Sequence, residues 1–182
     1  LDNQSNVNTS IVQGMLDDAK ARDNVVSTDT LERSMLIIND TPGVAVTKAD
    51  VKPGEQVGTS DFLIETQPTP FYVGYVVGDN TGSKFTGKNR LQSLVNINSP
   101  YLIGDKLTIS GLLTNGSDLK NGKIAYSFPL ASNGLRGELS YSRTEYNLTK
   151  DYDYLNADGN SNIFEAKVSY PVIRTQTENL DL

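Results

Sequence analysis

The sequence contains no cysteine and no histidine. Without cysteine the chain has neither disulfides nor thiolate metal sites, and without histidine it has no base for a Ser-His nucleophile. No apolar run approaches the roughly 20 residues that a membrane-spanning helix needs, and the mean hydropathy is -0.37. These absences argue against a disulfide scaffold, a Ser-His hydrolase and a helical membrane protein. We expect no enzymatic activity, no bound metal and no cofactor.

The net charge of -6 is unevenly distributed along the chain. Residues 1–70 carry 11 acidic and 5 basic side chains, whereas residues 71–182 carry 11 of each. No basic stripe is present in the acidic part, so nucleic acid is not an expected partner. The composition changes near Pro68-Thr-Pro70, where the hydrophobic pattern changes as well. We therefore predict one domain over residues 1–69 and a second over residues 70–182.

The first 69 residues predict a small α/β module. A strand remnant over residues 1–8 precedes a helix over residues 11–20, capped by Thr9 or Ser10. A second helix runs from Thr28 or Ser27 to Asp40 and is stopped by Thr41-Pro-Gly. Two strands follow, Val44–Val51 and Asp61–Thr66. The apolar residues of the second helix are expected to be buried against these strands: Leu31, Met35 and Ile38 against Val46, Phe62 and Ile64.

The second part predicts about six antiparallel strands. Phe71 to Gly78 forms the first, Phe85 to Asn98 the second and Lys106 to Thr114 the third. Three further runs alternate apolar and polar residues and lie around residues 123–130, 135–142 and 164–172. In this pattern Tyr126, Phe128 and Phe164 share one face with Leu139 and Tyr141. The opposite face carries charges of both signs, which a water-filled lumen accommodates: Lys123, Arg136, Glu138, Glu165 and Lys167.

Alternation alone fits both a soluble antiparallel sandwich and a membrane β-barrel. Strand length favours the barrel, since several runs reach the roughly 9–11 residues of a tilted membrane strand. The connections agree, because Ala131–Gly134 is a tight turn whereas residues 148–162 form a long polar loop. Aromatic girdles are also expected, with Tyr101, Phe128 and Tyr170 near an inner rim and Tyr146 and Phe164 near an outer rim. The acidic group Asp151, Asp153 and Asp158 lacks the closing Glu of an EF-hand and is interpreted as a solvated loop.

Several stretches resemble two-partner secretion outer-membrane transporters, the TpsB or ShlB/FhaC/HecB family. Leu31 to Val44, Lys52-Pro-Gly-Glu and Gly58-Thr-Ser-Asp resemble that family's second POTRA domain. The segment after the first strand resembles the start of its barrel, through Asp79, Asn80, Gly82, Thr86, Gly87 and Arg90. The resemblance covers most of the chain, from about Leu1 to Arg174. It implies an internal piece of a transporter, with a POTRA-like module incomplete at its N-terminus and the first strands of an incomplete barrel.

The resemblance also implies a function and a location. The barrel lies in the outer membrane of a Gram-negative bacterium, in contact with lipid, and residues 1–69 lie in the periplasm. The module captures a secreted haemolysin- or adhesin-type protein in extended form, and the barrel passes it outward without ATP. Capture by strand addition needs an exposed sheet edge. We assign that edge to the Val44–Val51 strand, with Val44, Val46, Lys48 and Val51 as partner-binding residues.

Two other functions stay open on the sequence alone. One is a barrel-assembly protein of the same superfamily, whose clients are unfolded porins. The other is a soluble adhesin-like β-protein carrying a small α/β cap. The sequence does not identify the secreted partner.

Overall fold

The computed structural model describes residues 1–22, 28–53, 60–83, 86–115, 119–147 and 158–182. The N-terminal part is an α/β module whose elements are β1 (Asp2–Asn3), α1 (Thr9–Arg22), α2 (Thr28–Asn39), β2 (Ala45–Pro53) and β3 (Ser60–Gln67). Its sheet has the order β1-β3-β2, with β1 parallel and β2 antiparallel to β3. The predicted order of one strand, two helices and two strands is confirmed. Among the described residues, no helix combines the length and apolarity needed to cross a membrane.

The core of the module lies where α1 and α2 meet the start of β2. Val12 and Ile38 have no exposed surface, and Met15 of α1 is 4% exposed. The prediction for α2 is only partly right, because Leu31 and Met35 are half-buried while Ser34 and Ile37 are buried. The helix is rotated so that Ile37 and Ile38 both face inward, a rotation that periodicity alone does not fix. The core consists of Val7, Val12, Met15, Ile37, Ile38 and Val44.

The second part is one antiparallel sheet of six strands in chain order. The predicted number is confirmed, and each end strand has a single neighbour among the described residues. The second strand begins at Arg90, later than predicted, because Gly87 adopts a φ of 99° in a turn that precedes it. Phe85 lies outside the described residues. The strands are β4 (Tyr72–Asp79), β5 (Arg90–Asn98), β6 (Lys106–Thr114), β7 (Leu119–Pro129), β8 (Arg136–Asn147) and β9 (Asp158–Ser169).

The register gives the sheet two chemically different faces. Tyr126 is opposite Leu139 and Tyr141 is opposite Phe164, so these residues share one face as predicted. We call this the apolar face; Ile109, Ile124 and Val168 also belong to it. The polar face carries Ser140 opposite Glu165 and Glu138 opposite Lys167. Phe164 lies at the middle of the β8–β9 ladder, so its predicted place at the outer rim is wrong.

The predicted strand over residues 164–172 ends early. β9 stops at Ser169, and the N–H and carbonyl of Tyr170 both bond Leu182, each at 3.0 Å. Pro171 lacks an N–H group and so cannot donate to the sheet ladder. The following residues form a separate hairpin of β10 (Pro171–Arg174) and β11 (Asn179–Asp181). Val172 therefore does not belong to the apolar face.

Candidate partner-binding edge and channel face

β2 is an edge strand of the module's sheet. Its neighbour among the described residues is β3 alone, which leaves one side of its backbone without a sheet partner. A bulge between Val46 and Lys48 shifts the register between β2 and β3. The Val46 N–H donates to Asn39 Oδ1 at 2.7 Å. Beyond the bulge, the strand pairs regularly with β3 up to its end at Pro53. An extended peptide can therefore add to this edge beyond Val46.

The four residues predicted to bind the partner differ in position. Val44 is fully buried and precedes β2, so its predicted role is wrong: it fills the core instead. Val46 also packs against that core and is half-buried. Val51 is 60% exposed and lies opposite Phe62, on the side of the sheet that faces the helices. Lys48 is exposed, and its ion pairs with Asp50 at 2.9 Å and Glu65 at 3.4 Å raise the pKa of its ammonium group.

An ion-pair cluster joins the end of β4 to the start of β5. Arg90 Nε and a terminal nitrogen bond the two carboxylate oxygens of Asp79 at 2.8 and 3.1 Å. Asp79 also accepts the Thr81 hydroxyl at 2.7 Å and the Gln92 amide at 3.1 Å. Thr81 and Gln92 were not predicted as part of the site. Their spacing in the sequence could have indicated their role, because each lies two residues after a member of the Asp79–Arg90 pair.

Two glycines shape the connection between these strands. Gly82 donates its N–H to the Lys88 carbonyl at 2.9 Å, and it packs against backbone too closely for a side chain. A Cβ on Gly87 would lie 2.6 Å from the Cβ of Thr114, the last residue of β6. Asn80 is exposed and Thr86 is half-buried. Of the six residues of the predicted barrel-start motif, Asp79 and Arg90 thus form the ion pair, and Gly82 and Gly87 pack closely in the connection between them.

Replacing Arg90 by lysine is expected to loosen this connection. Lysine keeps the charge but cannot form the two parallel bonds that the guanidinium makes with Asp79. The Thr81 N–H, now bonded to Asp79 at 3.0 Å, should exchange faster with solvent deuterium. Hydrogen exchange of the protein in detergent measures this, with exposed Lys88→Arg as the control. Equal exchange rates in the two variants would contradict the expected role of Arg90.

The charges of the polar face form pairs of opposite sign. Lys123 lies 3.5 Å from Glu165, which also accepts the Ser140 hydroxyl at 3.1 Å. Arg136 lies on the same face, and its guanidinium bonds the Gly104 carbonyl at 2.9 Å and the Ser127 hydroxyl. The mixed signs give a hydrated surface without a strong field of one sign.

No cluster that could hold a metal ion occurs among the described residues. The acidic residues Asp151 and Asp153, predicted to form a solvated loop, lie outside the described ranges, and Asp158 opens β9.

The α/β module contacts one end of the sheet. The turn after β5 reaches α1, where the Asn8 N–H bonds the Leu102 carbonyl at 2.8 Å. The β10–β11 hairpin reaches α2, where Arg174 bonds both carboxylate oxygens of Asp40 at 2.6 and 2.8 Å. Arg33 of α2 donates to the carbonyls of Pro171 and Val172. We call this the inner end of the sheet, and the end that carries the Asp79–Arg90 pair the outer end.

Comparison with known proteins identifies the family. The family model described as "Haemolysin secretion/activation protein ShlB/FhaC/HecB" matches residues 58–182. The chain belongs to this family. The heme/hemopexin transporter protein HuxB of Haemophilus influenzae strain 86-028NP is 30% identical over 175 residues, which is 96% of the chain and 31% of HuxB. HuxB of strain ATCC 51907 / DSM 11121 / KW20 / Rd is 29% identical over the same shares. The chain thus spans about a third of the length of these curated relatives.

Two solved structures share the fold. CdiB from Acinetobacter baumannii has a TM-score of 0.66 and 17% identity, covering 96% of the chain and 34% of CdiB. CdiB from Escherichia coli has a TM-score of 0.62 and 23% identity, covering 78% of the chain and 27% of CdiB. At 96% coverage, the likeness to CdiB from Acinetobacter baumannii includes the α/β module and the antiparallel strands.

Family membership locates the parts of the molecule. ShlB/FhaC/HecB proteins are outer-membrane transporters of two-partner secretion with periplasmic POTRA domains. The α/β module is therefore POTRA-like and periplasmic, and the six-stranded sheet consists of outer-membrane barrel strands. The barrel-assembly and soluble-adhesin alternatives are not favoured by these matches. The family is one of transport proteins.

Proposed function

We propose that this chain serves in the capture and export of a large haemolysin- or adhesin-type protein by a two-partner secretion transporter. The observation that carries the proposal is the joining of two surfaces in one chain of this family. One surface is the open β2 edge of a periplasmic module, and the other is a sheet with an apolar and a polar face. We place the boundary between the two parts at residues 68–70, where β3 has ended and β4 has not begun.

Capture proceeds by strand addition in this proposal. The secreted protein arrives unfolded and extends along β2 beyond its bulge, where backbone bonds supply affinity with little demand on side-chain sequence. Lys48 and Val51 are the side chains available on that edge, since Val44 and Val46 pack inward. Neither ATP nor a cofactor nor a catalytic step enters the process.

Conduction uses the two faces of the sheet. The apolar face contacts lipid, and the polar face lines the passage with the paired charges around Glu165. Alternating sign suits an extended polypeptide of arbitrary sequence, because no segment of it meets a large field that repels or traps it. The HuxB relatives are named as heme/hemopexin transporter proteins, so a protein linked to heme or hemopexin is one cargo to test.

Val51→Asp is expected to weaken capture. The added strand places side chains beside Val51, and a carboxylate there removes an apolar contact from the edge while leaving the core intact. We expect the dissociation constant for the partner's N-terminal domain to rise by about tenfold, equivalent to ~1.4 kcal/mol. Binding of that domain to the immobilised full-length transporter measures the effect.

Lys52→Gln is the matched control. Lys52 follows Val51 on the same exposed strand but points to the opposite side of the sheet, so this variant should bind like the unmodified protein. Unchanged capture by Val51→Asp, or an equal loss in both variants, would reject β2 as the capturing edge.

A further inference from the structure

The turn over residues 99–105, at the inner end of β5 and β6, has a conformation that its sequence disfavours. Ser99 and Leu102 have φ values of 54° and 62°, in the left-handed region that side chains other than glycine rarely adopt. Such residues persist when surrounding contacts over-determine them, and they cluster at functional sites. The contacts of this turn therefore indicate which residues stabilise its conformation and which part of the molecule it positions.

A buried carboxylate holds the turn. Asp105 has no exposed surface, and its two oxygens accept the Tyr126 hydroxyl at 2.8 Å and the Tyr101 N–H at 3.3 Å. Its carbonyl accepts the Ser99 N–H at 2.7 Å, which closes the turn. Next to it, the Gly104 carbonyl accepts the guanidinium of Arg136. Asp105 thus ties the turn to β7 through Tyr126, while the Gly104 carbonyl ties it to β8 through Arg136. Capture and conduction as described above give Asp105 no direct task.

The turn fits closely against the POTRA-like module. A Cβ on Gly43 would lie 2.6 Å from the Cβ of Ser99, and Gly104 packs equally closely against Thr41. Leu102 accepts the N–H of Asn8, the residue whose carbonyl caps the start of α1. Thr41 and Gly43 connect α2 to β2. The turn therefore contacts the segment that leads directly into the capturing edge.

We propose that Asp105 is a positioning residue for transport, which seats the POTRA-like module at the channel mouth through the turn over residues 99–105. The proposal rests on the proposed function, in which β2 delivers the partner to the polar face. The orientation of the module relative to the sheet then matters for transport. Asp105 touches no partner. It acts through Tyr126 and the backbone of the turn, which in turn fix where the chain between α2 and β2 lies.

A second contact between module and sheet supplies the measurement. A Cβ on Gly14 of α1 would lie 3.9 Å from the Cβ of Ser132, in the turn between β7 and β8. A disulfide needs a Cβ–Cβ separation of roughly 3.5–4.5 Å. The pair Gly14→Cys and Ser132→Cys should therefore oxidise readily in this chain, which has no cysteine of its own. The disulfide yield reports the seated module and requires no partner.

The experiment places Asp105→Asn and Tyr126→Phe separately in the full-length transporter with this cysteine pair. Both should insert in the outer membrane and bind the partner's N-terminal domain normally, yet form the disulfide severalfold less and secrete an epitope-tagged haemolysin-type partner severalfold less. Once the disulfide is formed, secretion should return, because the cross-link replaces the lost seating. Exposed Asp158→Asn, at the outer end of β9, is the matched control and should change neither reading.

Three results would overturn the proposal. The first is normal disulfide yield in Asp105→Asn and Tyr126→Phe. The second is failed insertion of both variants, which would assign Asp105 to folding alone. The third is a block of secretion by the disulfide in the otherwise unmodified chain. If the unmodified transporter secretes no partner but Asp105→Asn still lowers the disulfide yield, the proposed function fails while the seating role of Asp105 stands.

Discussion

Arginine in place of Leu139 is expected to impede insertion of the transporter into the outer membrane by about 2–4 kcal/mol. Leu139 lies on the apolar face of β8, two residues from the Tyr141–Phe164 pair at the middle of the β8–β9 ladder, with Tyr126 and Ala166 opposite it on the two neighbouring strands. Its side chain is 44% exposed in the described structure. A charge at that depth would contact hydrocarbon, and the penalty is largest near the bilayer midplane.

Ser140→Arg is the matched control for Leu139→Arg. Ser140 adjoins Leu139 at nearly the same depth but lies on the polar face, opposite Ala125 and Glu165. An arginine there can pair with the Glu165 carboxylate, which already accepts the Ser140 hydroxyl. Urea titration of folding into lipid vesicles, followed by heat-modifiable mobility on gels, measures both variants. Equal penalties would show that the assignment of the lipid and lumen faces is wrong.

Much of the sheet follows from its sequence because each strand carries its own period-two signal. The run from Lys106 to Thr114 matches β6 at both ends, and the alternation of Tyr126 with Ser127 predicts which residues share a face. Register then follows from the short connections, such as the turn near Ala131–Gly134, where the Leu130 N–H bonds the Leu135 carbonyl at 2.8 Å. These are local relations, and a single sequence contains them.

The errors arise where distant parts of the chain decide the outcome. Val44 is a β-branched residue at the start of a predicted edge strand, yet it is buried because it packs against both helices. Arg136 lies on the predicted face, yet nothing in the alternation indicates that its guanidinium bonds a carbonyl 32 residues earlier in the chain. Tyr170 continues the β9 pattern, and its backbone pairs with Leu182 instead. The periodicity of apolar residues along a strand does not predict such long-range contacts.

The candidate site likewise contains local contacts that the sequence predicts and long-range contacts that it does not. The Asp79–Arg90 pair could be anticipated from a motif, because both members lie next to one short connection. The contacts that seat the module could not, since Arg174 and Asp40 are 134 residues apart. Exposed ion pairs of this kind contribute little to stability. Their value in this molecule is geometric: they specify which surface of α2 faces the β10–β11 hairpin.

Ile38→Ala should lower the free energy of unfolding of the POTRA-like module by about 2–5 kcal/mol. Ile38 has no exposed surface and lies in the cluster that joins α1, α2 and the start of β2, so truncation leaves a cavity that the helices fill only partly. Hydrogen exchange of the slowest amides in α1 and α2, measured on the full-length transporter, gives this free energy. The sheet should still insert in the membrane, because Ile38 belongs to the module's core.

Ile11→Ala removes the same atoms from a half-buried position at the edge of that cluster. We expect a clearly smaller loss there, since solvent already reaches the side chain and less new cavity is formed. Capture of the partner should fall with Ile38→Ala in proportion to the fraction of unfolded module, because β2 continues directly from the Ile38 core. Equal destabilisation by the two substitutions would contradict a core centred on Ile38, and failed membrane insertion of Ile38→Ala would show that module and sheet fold as one cooperative unit.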